Sequence, residues 1–297
     1  MKPDRLLILG TGALATYFAA RLSASGVAVT LLGTWAEGVE ALNAHGAELD
    51  GQPFPVHATM NPLACRGAEL ALVLVKSWQT GRAAQQLAEC LAADGLAVTL
   101  QNGLGNDVVL AQALGAKRVV RGITTLGATL VGPGRALSGG EGPVTVERNP
   151  RIEPFLSMLH KAGLEVHVVV DAEALIWNKL IVSSAINPLT ALLRVPNGEL
   201  LEMPSAKMLM EELARESAEV AGSTGILVQS SNPARLVEEV ARRTARNISS
   251  MLQDVLRSAP TEVDAINGAI VRTGEMHDIP TPLNRALWKL VRELPKI

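Results

Sequence analysis

The sequence predicts an α/β protein in which an N-terminal Rossmann-like, doubly wound sheet domain is followed by an all-α C-terminal domain. Short apolar runs alternate with helical patterns in the first half of the chain, and a glycine-rich turn joins the first run to the first helix. Strand patterns cease after Asp171. The length of 297 residues favours two domains, which this change of pattern places at residues 1–170 and 171–297.

The alternation of strands and helices defines the N-terminal domain. Apolar runs predict buried strands at residues 5–9, 27–32, 70–75, 96–100 and 119–124. Helical patterns lie between them, among them residues 13–25, 80–92 and 106–114. Glycines punctuate residues 125–146, which predicts antiparallel strands or hairpins added to the same sheet. A helix at 150–162 and a strand at 165–170 complete the predicted domain.

Helical periodicity dominates the C-terminal domain. It predicts helices at residues 172–185, 205–222, 233–245, 248–256, 262–276 and 283–294. Asn187 precedes Pro188, and a following proline disfavours the α conformation. The first of these helices is therefore expected to end or bend at Asn187.

Composition narrows the class of protein. Hydrophobic residues make up 48% and charged residues 19%, so the chain can build a large core and is not of the disordered class. The net charge is −2 without a basic block, which argues against a nucleic-acid partner. No apolar stretch reaches the roughly 18 residues of a membrane span. The two cysteines form no disulfide framework, so we predict a soluble cytoplasmic protein without a metal cofactor.

A glycine motif follows the first predicted strand and opens the first helix. It fits G-x-G-x-x-G/A and consists of Gly10, Thr11, Gly12, Ala13, Leu14 and Ala15. Gly10 permits a tight turn, Gly12 lets the backbone approach a pyrophosphate, and Ala15 allows close helix–sheet packing. The helix N-terminus offers free N–H groups to the anion. The motif thus predicts dinucleotide binding, although the same glycines also suit a plain strand-to-helix turn.

The choice between NAD and NADP stays open in the sequence. The second strand ends near Thr34 without an acidic or basic residue at its tip, and Glu37 follows the turn. Lys76 and Asn102 each follow a predicted strand, at the sheet edge where ligands bind in such folds. Lys76 can reach a cofactor phosphate or ribose, or can be a solvated lysine. Asn102 can bridge cofactor and substrate, but Asn102-Gly103 also suits an ordinary turn, which is favoured on this evidence alone.

A lysine stands on the first helix of the C-terminal domain, which is otherwise mostly apolar. Ser183 lies four residues after Lys179 and Asn187 eight residues after it, so all three share one helical face. A buried lysine is costly unless it is paired or functional. We favour a functional Lys179 over a lysine that only extends to solvent along the helix.

Polar residues near the C-terminus have competing interpretations. Asn247 and Ser250 are three apart and share a face if that segment is helical. Thr261 and Asp264 fit a capping box that places Glu262 in the first turn of the next helix, where acids favour the helix dipole. Residues 196–198, which include Asn197, are typical of a turn.

These segments together resemble the ketopantoate reductase family. The matching segments lie in the family's order between residues 6 and 268, namely residues 10–15, 76–79, 101–103, 177–180, 186–191, 196–200, 247–254 and 261–268. The C-terminal segments are more specific than the glycine motif. The resemblance covers almost the whole chain.

The resemblance implies a function and a role for each matched residue. The family reduces 2-dehydropantoate to (R)-pantoate with NADPH, on the route to pantothenate and coenzyme A. Lys179 matches the catalytic proton donor, and Asn102 and Glu262 match residues that touch both cofactor and substrate. Ala128 matches a backbone contact to the cofactor. The matched substrate-binding positions are Ser183, Asn187, Asn197, Asn247 and Ser250.

Two departures from the family pattern keep alternatives open. Ser183 stands where well-known members carry an asparagine, so reduction of another small 2-oxo acid is a second prediction. Thr34 stands near an arginine of NADPH-dependent members, so NADP(H) is favoured while NAD(H) is an alternative cofactor. A non-catalytic NAD(P)H sensor is a third interpretation, which the presence of Lys179 and Glu262 disfavours. The sequence also allows a homodimer without predicting one.

Overall fold

The chain folds into two compact units in the computed structural model, which describes residues 4–228 and 230–294. The first unit comprises the described residues of Met1–Gln101 together with Asn106–Ala172. The second comprises Asn102–Gly105 and the described residues of Glu173–Ile297. The short segment Asn102–Gly105 thus belongs with the C-terminal unit, although the sequence places it inside the predicted domain of residues 1–170.

The first unit mixes strands and helices. Its strands are β1 Arg5–Leu9, β2 Ala28–Leu32, β3 Ala47–Leu49, β4 Gln52–Phe54, β5 His57–Thr59, β6 Ala68–Val73, β7 Leu91–Thr99, β8 Val119–Thr124, β9 Gly127–Gly132, β10 Arg135–Gly140, β11 Val144–Glu147 and β12 Val166–Val169. Its α-helices are α1 Ala13–Ala24, α2 Ala36–His45, α3 Thr80–Cys90, α4 Asn106–Leu114 and α5 Glu153–Lys161.

The main sheet has eight strands in the order β12-β11-β8-β7-β6-β1-β2-β5. The run from β8 to β5 is parallel throughout. β11 pairs antiparallel with β8, and β12 pairs parallel with β11. This parallel-dominated, Rossmann-like sheet confirms the predicted fold class of the N-terminal region.

Both faces of the sheet are buried, as its apolar strands predict. Leu6 and Ile8 of β1 pack in one core cluster, which also contains Phe18 of α1. Leu7 and Leu9 point the other way into a second cluster, with residues of α3 and α4. This alternation follows from the two-residue period of a strand. Both cysteines are free and lie in the second cluster, where they serve packing.

The glycine-punctuated segment forms a hairpin, as predicted, but the hairpin does not extend the main sheet. β9 and β10 pair antiparallel and join β3 and β4 in a separate sheet with the order β4-β3-β10-β9. That sheet packs against α1, so its apolar side chains bury themselves on a helix rather than at a sheet edge. Only β11 of this region adds to the main sheet. The prediction was wrong on this point because hydrophobic alternation does not specify which neighbour a strand chooses.

The described residues of the second unit form no strand, which confirms the predicted helical C-terminal region. Its α-helices are α6 Glu173–Leu193, α7 Pro204–Ser223, α8 Pro233–Arg243, α9 Ser250–Leu256, α10 Asn267–Met276 and α11 Pro282–Arg292. A single apolar cluster holds them together around α6. Within the described part of the chain, no helix has the length and apolar character needed to cross a bilayer.

The helix α6 continues through Pro188 to Leu193, so it does not end at Asn187, and a bend at that position stays a prediction. Proline lacks the N–H that would donate to the carbonyl of Ser184, one turn earlier. The amide Nδ2 of Asn267 donates to that carbonyl instead, at 3.0 Å. A side chain distant in sequence thereby replaces the missing hydrogen bond.

Two other helices begin later than predicted. α9 begins at Ser250, with Ser249 as its N-cap, rather than at Ile248. Asn247 therefore lies outside the helix, and its pairing with Ser250 on one helical face does not occur. α10 begins at Asn267 rather than at Glu262, because residues 262–266 form turns.

Candidate active site

The glycine motif lies where the strand order of the main sheet reverses. The strand β1 lies between β2 on one side and β6 on the other. Gly10 has a φ of +119°, and an added Cβ would lie 3.1 Å from the carbonyl oxygen of Leu74, just beyond β6. Its N–H donates to the carbonyl of Leu32 at 2.9 Å. The motif therefore occupies the switch point at which open α/β sheets bind ligands.

The backbone around Gly12 fits a pyrophosphate. Gly12 is the N-cap of α1 and supplies no side-chain cap, so the first-turn N–H groups face outward for another acceptor. An added Cβ at Gly12 would meet nothing within 4 Å, which leaves room for a ligand. Ala15 is fully buried and packs in the core, whereas Ala13 and Leu14 are half-buried. Thr11 is buried beside Gly33, where an added Cβ would lie 2.5 Å from its methyl group.

Lys76 lies two residues beyond Leu74, in the loop after β6. It is half-buried and precedes a single 3-10 turn, Ser77–Gln79. Gln101 holds this loop because its Nε2 donates to the carbonyl of Val75 at 2.9 Å and to Thr80 Oγ1 at 2.8 Å. Gln101 had no predicted role. Its position directly after a strand, beside Asn102, is the signal that would have suggested one.

The remaining predicted cofactor positions are more dispersed. Ala128 lies on β9 in the four-stranded sheet and is partly buried against the core that contains α1. Thr34 is exposed just beyond β2. Glu37 lies in the first turn of α2, where the helix dipole favours an acid. No residue at the end of β2 thus supplies a positive charge for a 2′-phosphate.

Lys179 is a half-buried lysine with a strongly perturbed acidity. Burial disfavours its charged form and lowers the pKa of Lys179 to about 8, while the carboxylate of Glu262 opposes that shift. A pKa near the physiological range suits a group that must be protonated and then give its proton away. Lys179 and Glu262 are far apart in the sequence, and their charges interact in the folded structure.

Glu262 also contacts Asn102. The amide Nδ2 of Asn102 donates to Oε2 of Glu262 at 3.3 Å. Gly103 makes this approach possible: its φ is +85°, and an added Cβ would lie 2.4 Å from the carbonyl oxygen of Ala265. The N–H of Leu104 donates to that carbonyl at 3.1 Å. The turn and the functional interpretations of Asn102 are therefore compatible, since the turn is what carries the amide to Glu262.

The capping interpretation of Glu262 is wrong. Glu262 is 5% exposed and lies before α10, outside its first turn. Thr261 Oγ1 accepts from the N–H of Val263 at 3.4 Å, and the Asp264 carboxylate accepts from Trp288 Nε1 at 2.7 Å. Neither contact is that of a capping box. The burial of Glu262 thus calls for another explanation, which its contacts with Asn102 and Lys179 supply.

Ser183 and Asn187 follow Lys179 on the same face of α6. All three are half-buried, whereas most residues between them are buried. Beyond Pro188, Thr190 Oγ1 donates to the carbonyl of Asn187 at 2.9 Å and pairs with Ser249 Oγ at 2.7 Å.

Ser249 links this face to the neighbouring helix. Its hydroxyl accepts from the N–H of Leu252 at 3.1 Å and so caps α9. The same hydroxyl contacts Thr190, and Ser250 is the next residue. Ser250 therefore begins α9 directly after a residue that contacts Thr190 of α6.

Asn197 and Asn247 form a separate pair. The N–H of Asn197 donates to the carbonyl of Asn247 at 3.0 Å, and Asn197 Nδ2 donates to Thr244 Oγ1 at 2.9 Å. Asn197 is buried, and its Oδ1 accepts no hydrogen bond from the described residues. Gly198 allows the approach, because an added Cβ would lie 2.5 Å from the Cβ of Ala245. Asn247 is exposed. The predicted turn at residues 196–198 opens into a 3-10 helix.

The side chains around Lys179 are suited to binding a small polar molecule. Among the described residues, no cluster of three His, Cys, Asp or Glu side chains is suited to a metal ion. Lys179, Glu262 and Asn102 of the second unit bring a cation, a carboxylate and a neutral hydrogen-bonding group together. Such a set can bind a small polar molecule and transfer a proton to it.

Comparison with known proteins shows the family of the chain. The family model described as ketopantoate reductase PanE/ApbA matches residues 6–151, and its C-terminal counterpart matches residues 171–295. The chain belongs to the ketopantoate reductase family. The similar 2-dehydropantoate 2-reductase of Archaeoglobus fulgidus is 36% identical over 98% of this chain and 98% of its own. That of Halobacterium salinarum is 35% identical over 97% of this chain and 98% of its own.

Solved structures share the fold over nearly the whole chain. A PanE/ApbA family ketopantoate reductase from Ralstonia eutropha superposes with a TM-score of 0.90 at 30% identity, covering 98% of each chain. D-mandelate dehydrogenase, solved with NADH and anilino(oxo)acetate, superposes with a TM-score of 0.88 at 25% identity, covering 97% of each chain. The fold is therefore shared by a protein that is named as a dehydrogenase.

Proposed function

We propose that this chain is a 2-dehydropantoate 2-reductase, which reduces 2-dehydropantoate to (R)-pantoate in pantothenate biosynthesis. The observation that carries the proposal is the half-buried Lys179 of α6, with its lowered pKa and its electrostatic interaction with the carboxylate of Glu262. This pair lies in segments that resemble the ketopantoate reductases most specifically. The relatives with that activity align over nearly the whole chain.

The first unit supplies the residues that would hold a nicotinamide dinucleotide. Gly10 makes the tight turn, Thr11 and Gly12 are proposed to offer backbone N–H groups at the N-terminus of α1, and Gly12 leaves open space for the ligand. Lys76 is proposed to reach a phosphate or ribose, and Ala128 to contribute a backbone contact. When bound, the reduced nicotinamide supplies the hydride that reduces C2 of the substrate.

Lys179 has two roles in the proposed reaction. As the ketone is reduced, negative charge develops on its oxygen, and the Lys179 ammonium stabilises that charge. The same group then passes a proton to the oxygen, which its pKa of about 8 allows at neutral pH. Glu262 keeps the lysine charged enough to act, because its carboxylate raises the lysine pKa against the effect of burial.

The neutral polar residues orient the substrate. Glu262 is proposed to accept a hydrogen bond from the distal hydroxyl of 2-dehydropantoate, with Asn102 holding the carboxylate at 3.3 Å. Ser183, Asn187, Asn197, Asn247 and Ser250 are proposed to contact the rest of the substrate. Asn247 is exposed, whereas Asn197 is buried. We therefore expect Asn197 to contribute more through its side chain.

NADPH is the cofactor we favour, with NADH as the alternative. The exposed Thr34 offers no charge to a 2′-phosphate, and the end of β2 carries no acid to repel one. D-mandelate dehydrogenase, a structural neighbour, was solved with NADH. The expected preference for NADPH is therefore modest. A cytoplasmic location stays a prediction, and the sequence allows a homodimer without predicting one.

The proposal is tested by following oxidation of NADPH and NADH with 2-dehydropantoate and with a panel of other 2-oxo acids that includes an aromatic one. The expected result is highest kcat/KM with 2-dehydropantoate, and (R)-pantoate as the product in chiral chromatography. A higher kcat/KM with another 2-oxo acid would identify that acid as the substrate. It would also indicate that Ser183 changes the substrate specificity. Cofactor binding without turnover of any acid would instead indicate a sensor.

A further inference from the structure

Pro188 leaves a buried carbonyl group without its helical partner in the middle of α6. In a regular helix the N–H of residue 188 donates to the carbonyl of residue 184, and proline has no N–H. Ser184 is fully buried, so water cannot easily satisfy that carbonyl. The helix nevertheless continues for five residues beyond Pro188, to Leu193.

Asn267 supplies the missing donor. Its Nδ2 lies 3.0 Å from the carbonyl oxygen of Ser184 and 2.9 Å from Oδ1 of Asn284. These two contacts match the two hydrogens of one amide NH₂ group. Asn284 is held in turn, because its Nδ2 donates to Glu216 Oε1 at 2.8 Å and lies 3.1 Å from Ser217 Oγ. Asn267 is thus fully buried, and its amide group is held by Asn284.

We propose that Asn267 is a positioning residue for the substrate site: by donating to the Ser184 carbonyl it lets α6 pass Pro188 as a helix and holds Asn187 in line with Ser183 and Lys179. This inference rests on the proposed function of that site. Without the donor, Asn187 reverts to the extended conformation that a following proline favours. Its side chain then leaves the polar face of α6.

The position of the anchor predicts which kinetic constant changes. Lys179 precedes Pro188 by more than two turns, so its placement does not depend on Asn267. Asn187 lies one residue before the proline, and its carbonyl is also tied to Thr190. Loss of the anchor therefore weakens substrate binding more than proton transfer. We expect a higher KM for the 2-oxo acid, a nearly unchanged kcat and an unchanged pH profile.

A pair of substitutions tests the inference. Asn267→Leu removes the donor, and Pro188→Ala restores the backbone N–H that makes the donor unnecessary. We expect Asn267→Leu to raise KM for 2-dehydropantoate by about tenfold, with kcat within about threefold of wild type. In the Pro188→Ala background, Asn267→Leu is expected to leave KM within about twofold of Pro188→Ala alone, a non-additive result.

Ser217→Ala is the matched control, because it removes a hydroxyl of the same buried network without removing either partner of Asn267 Nδ2. It is expected to lower Tm without raising KM, and Pro188→Ala is expected not to rescue it. Amide hydrogen exchange of residues 189–193 gives a readout independent of turnover: protection should fall in Asn267→Leu and return in the double variant.

The outcomes separate the inference from the proposed function. Wild-type enzyme that fails to turn over 2-dehydropantoate contradicts the function, while the exchange experiment still tests the anchor. Rescue of KM and of amide protection by Pro188→Ala supports the anchor, even if Asn267→Leu alone does not fold. Equal effects of Asn267→Leu with and without Pro188 would overturn it.

Discussion

The glycine motif of the first unit and the Lys179–Glu262 pair of the second are built in opposite ways. The motif is six consecutive residues whose backbone is proposed to bind the dinucleotide, with a turn at Gly10 and open space at Gly12. The pair joins side chains that are 83 positions apart in the numbering, and Asn102 adds a contact from 160 positions away. One site is made by local backbone geometry, the other by tertiary packing.

This difference predicts how each site responds to substitution. A backbone site is insensitive to the chemistry of its side chains and sensitive to their bulk. A side-chain site depends on single functional groups and on the charges around them. Substitutions in the glycine motif should therefore lower cofactor affinity, and substitutions in the Lys179–Glu262 pair should lower turnover.

Substitution of Lys179 is expected to have the largest effect. Lys179→Ala removes the proton and the positive charge together, so kcat should fall by roughly a thousandfold or more. Cofactor affinity, measured by fluorescence titration, should stay near that of wild type. Lys179→Arg keeps the charge, but its guanidinium cannot readily release a proton, so its kcat should also be far below that of wild type. Turnover of Lys179→Ala within a few-fold of wild type would contradict the catalytic role.

Substitution of Gly12 tests the backbone site. Gly12→Val fills the open space with side-chain atoms, so affinity for the dinucleotide should fall by about a hundredfold or more. Because an added Cβ meets no protein atom within 4 Å, Tm should change little. Gly222→Val is the control, since Gly222 also has open space around an added Cβ. Unchanged cofactor affinity in Gly12→Val would remove the basis for the binding site.

Glu262→Gln separates charge from shape. The glutamine retains an oxygen that accepts from Asn102 but lacks the charge that raises the pKa of Lys179. We expect kcat/KM to fall by about tenfold with little change in Tm. The matched control is Glu239→Gln, which removes an exposed carboxylate paired with Arg235.

The pH dependence of kcat/KM tests whether Glu262 acts on Lys179. Because only protonated Lys179 donates, wild-type kcat/KM for reduction should fall as pH rises above about 8. Removing the carboxylate lowers the lysine pKa further, so Glu262→Gln should move this fall to lower pH. A profile that does not move, or that moves upward, would show that Glu262 does not act on the lysine.

Thr34→Arg is expected to give the smallest effect. An exposed guanidinium beside β2 can pair with a 2′-phosphate, but solvent weakens exposed ion pairs. The ratio of kcat/KM for NADPH over NADH should rise by about three- to fivefold, with NADH itself nearly unaffected. A wild-type enzyme strongly selective for NADH would overturn the predicted cofactor.

The errors of the sequence-based prediction have physical causes. The β9–β10 hairpin was predicted, but its partners β3 and β4 were not, because short strands of three residues give little periodicity. The late start of α10 follows from the turns at residues 262–266, which place Glu262 toward Asn102 and Lys179 rather than along a helix. In each case a tertiary contact decided the local structure.

The sequence by itself determined the fold class, the glycine motif and the identity of Lys179 and Glu262 as candidates, because periodicity and short motifs are local properties of the chain. Tertiary structure decided what those residues do. It joined Asn102 to the second unit, lowered the pKa of Lys179 by burial and let α6 cross Pro188. Burial, charge proximity and replacement hydrogen bonds all depend on residues far apart in sequence, and no local pattern encodes them.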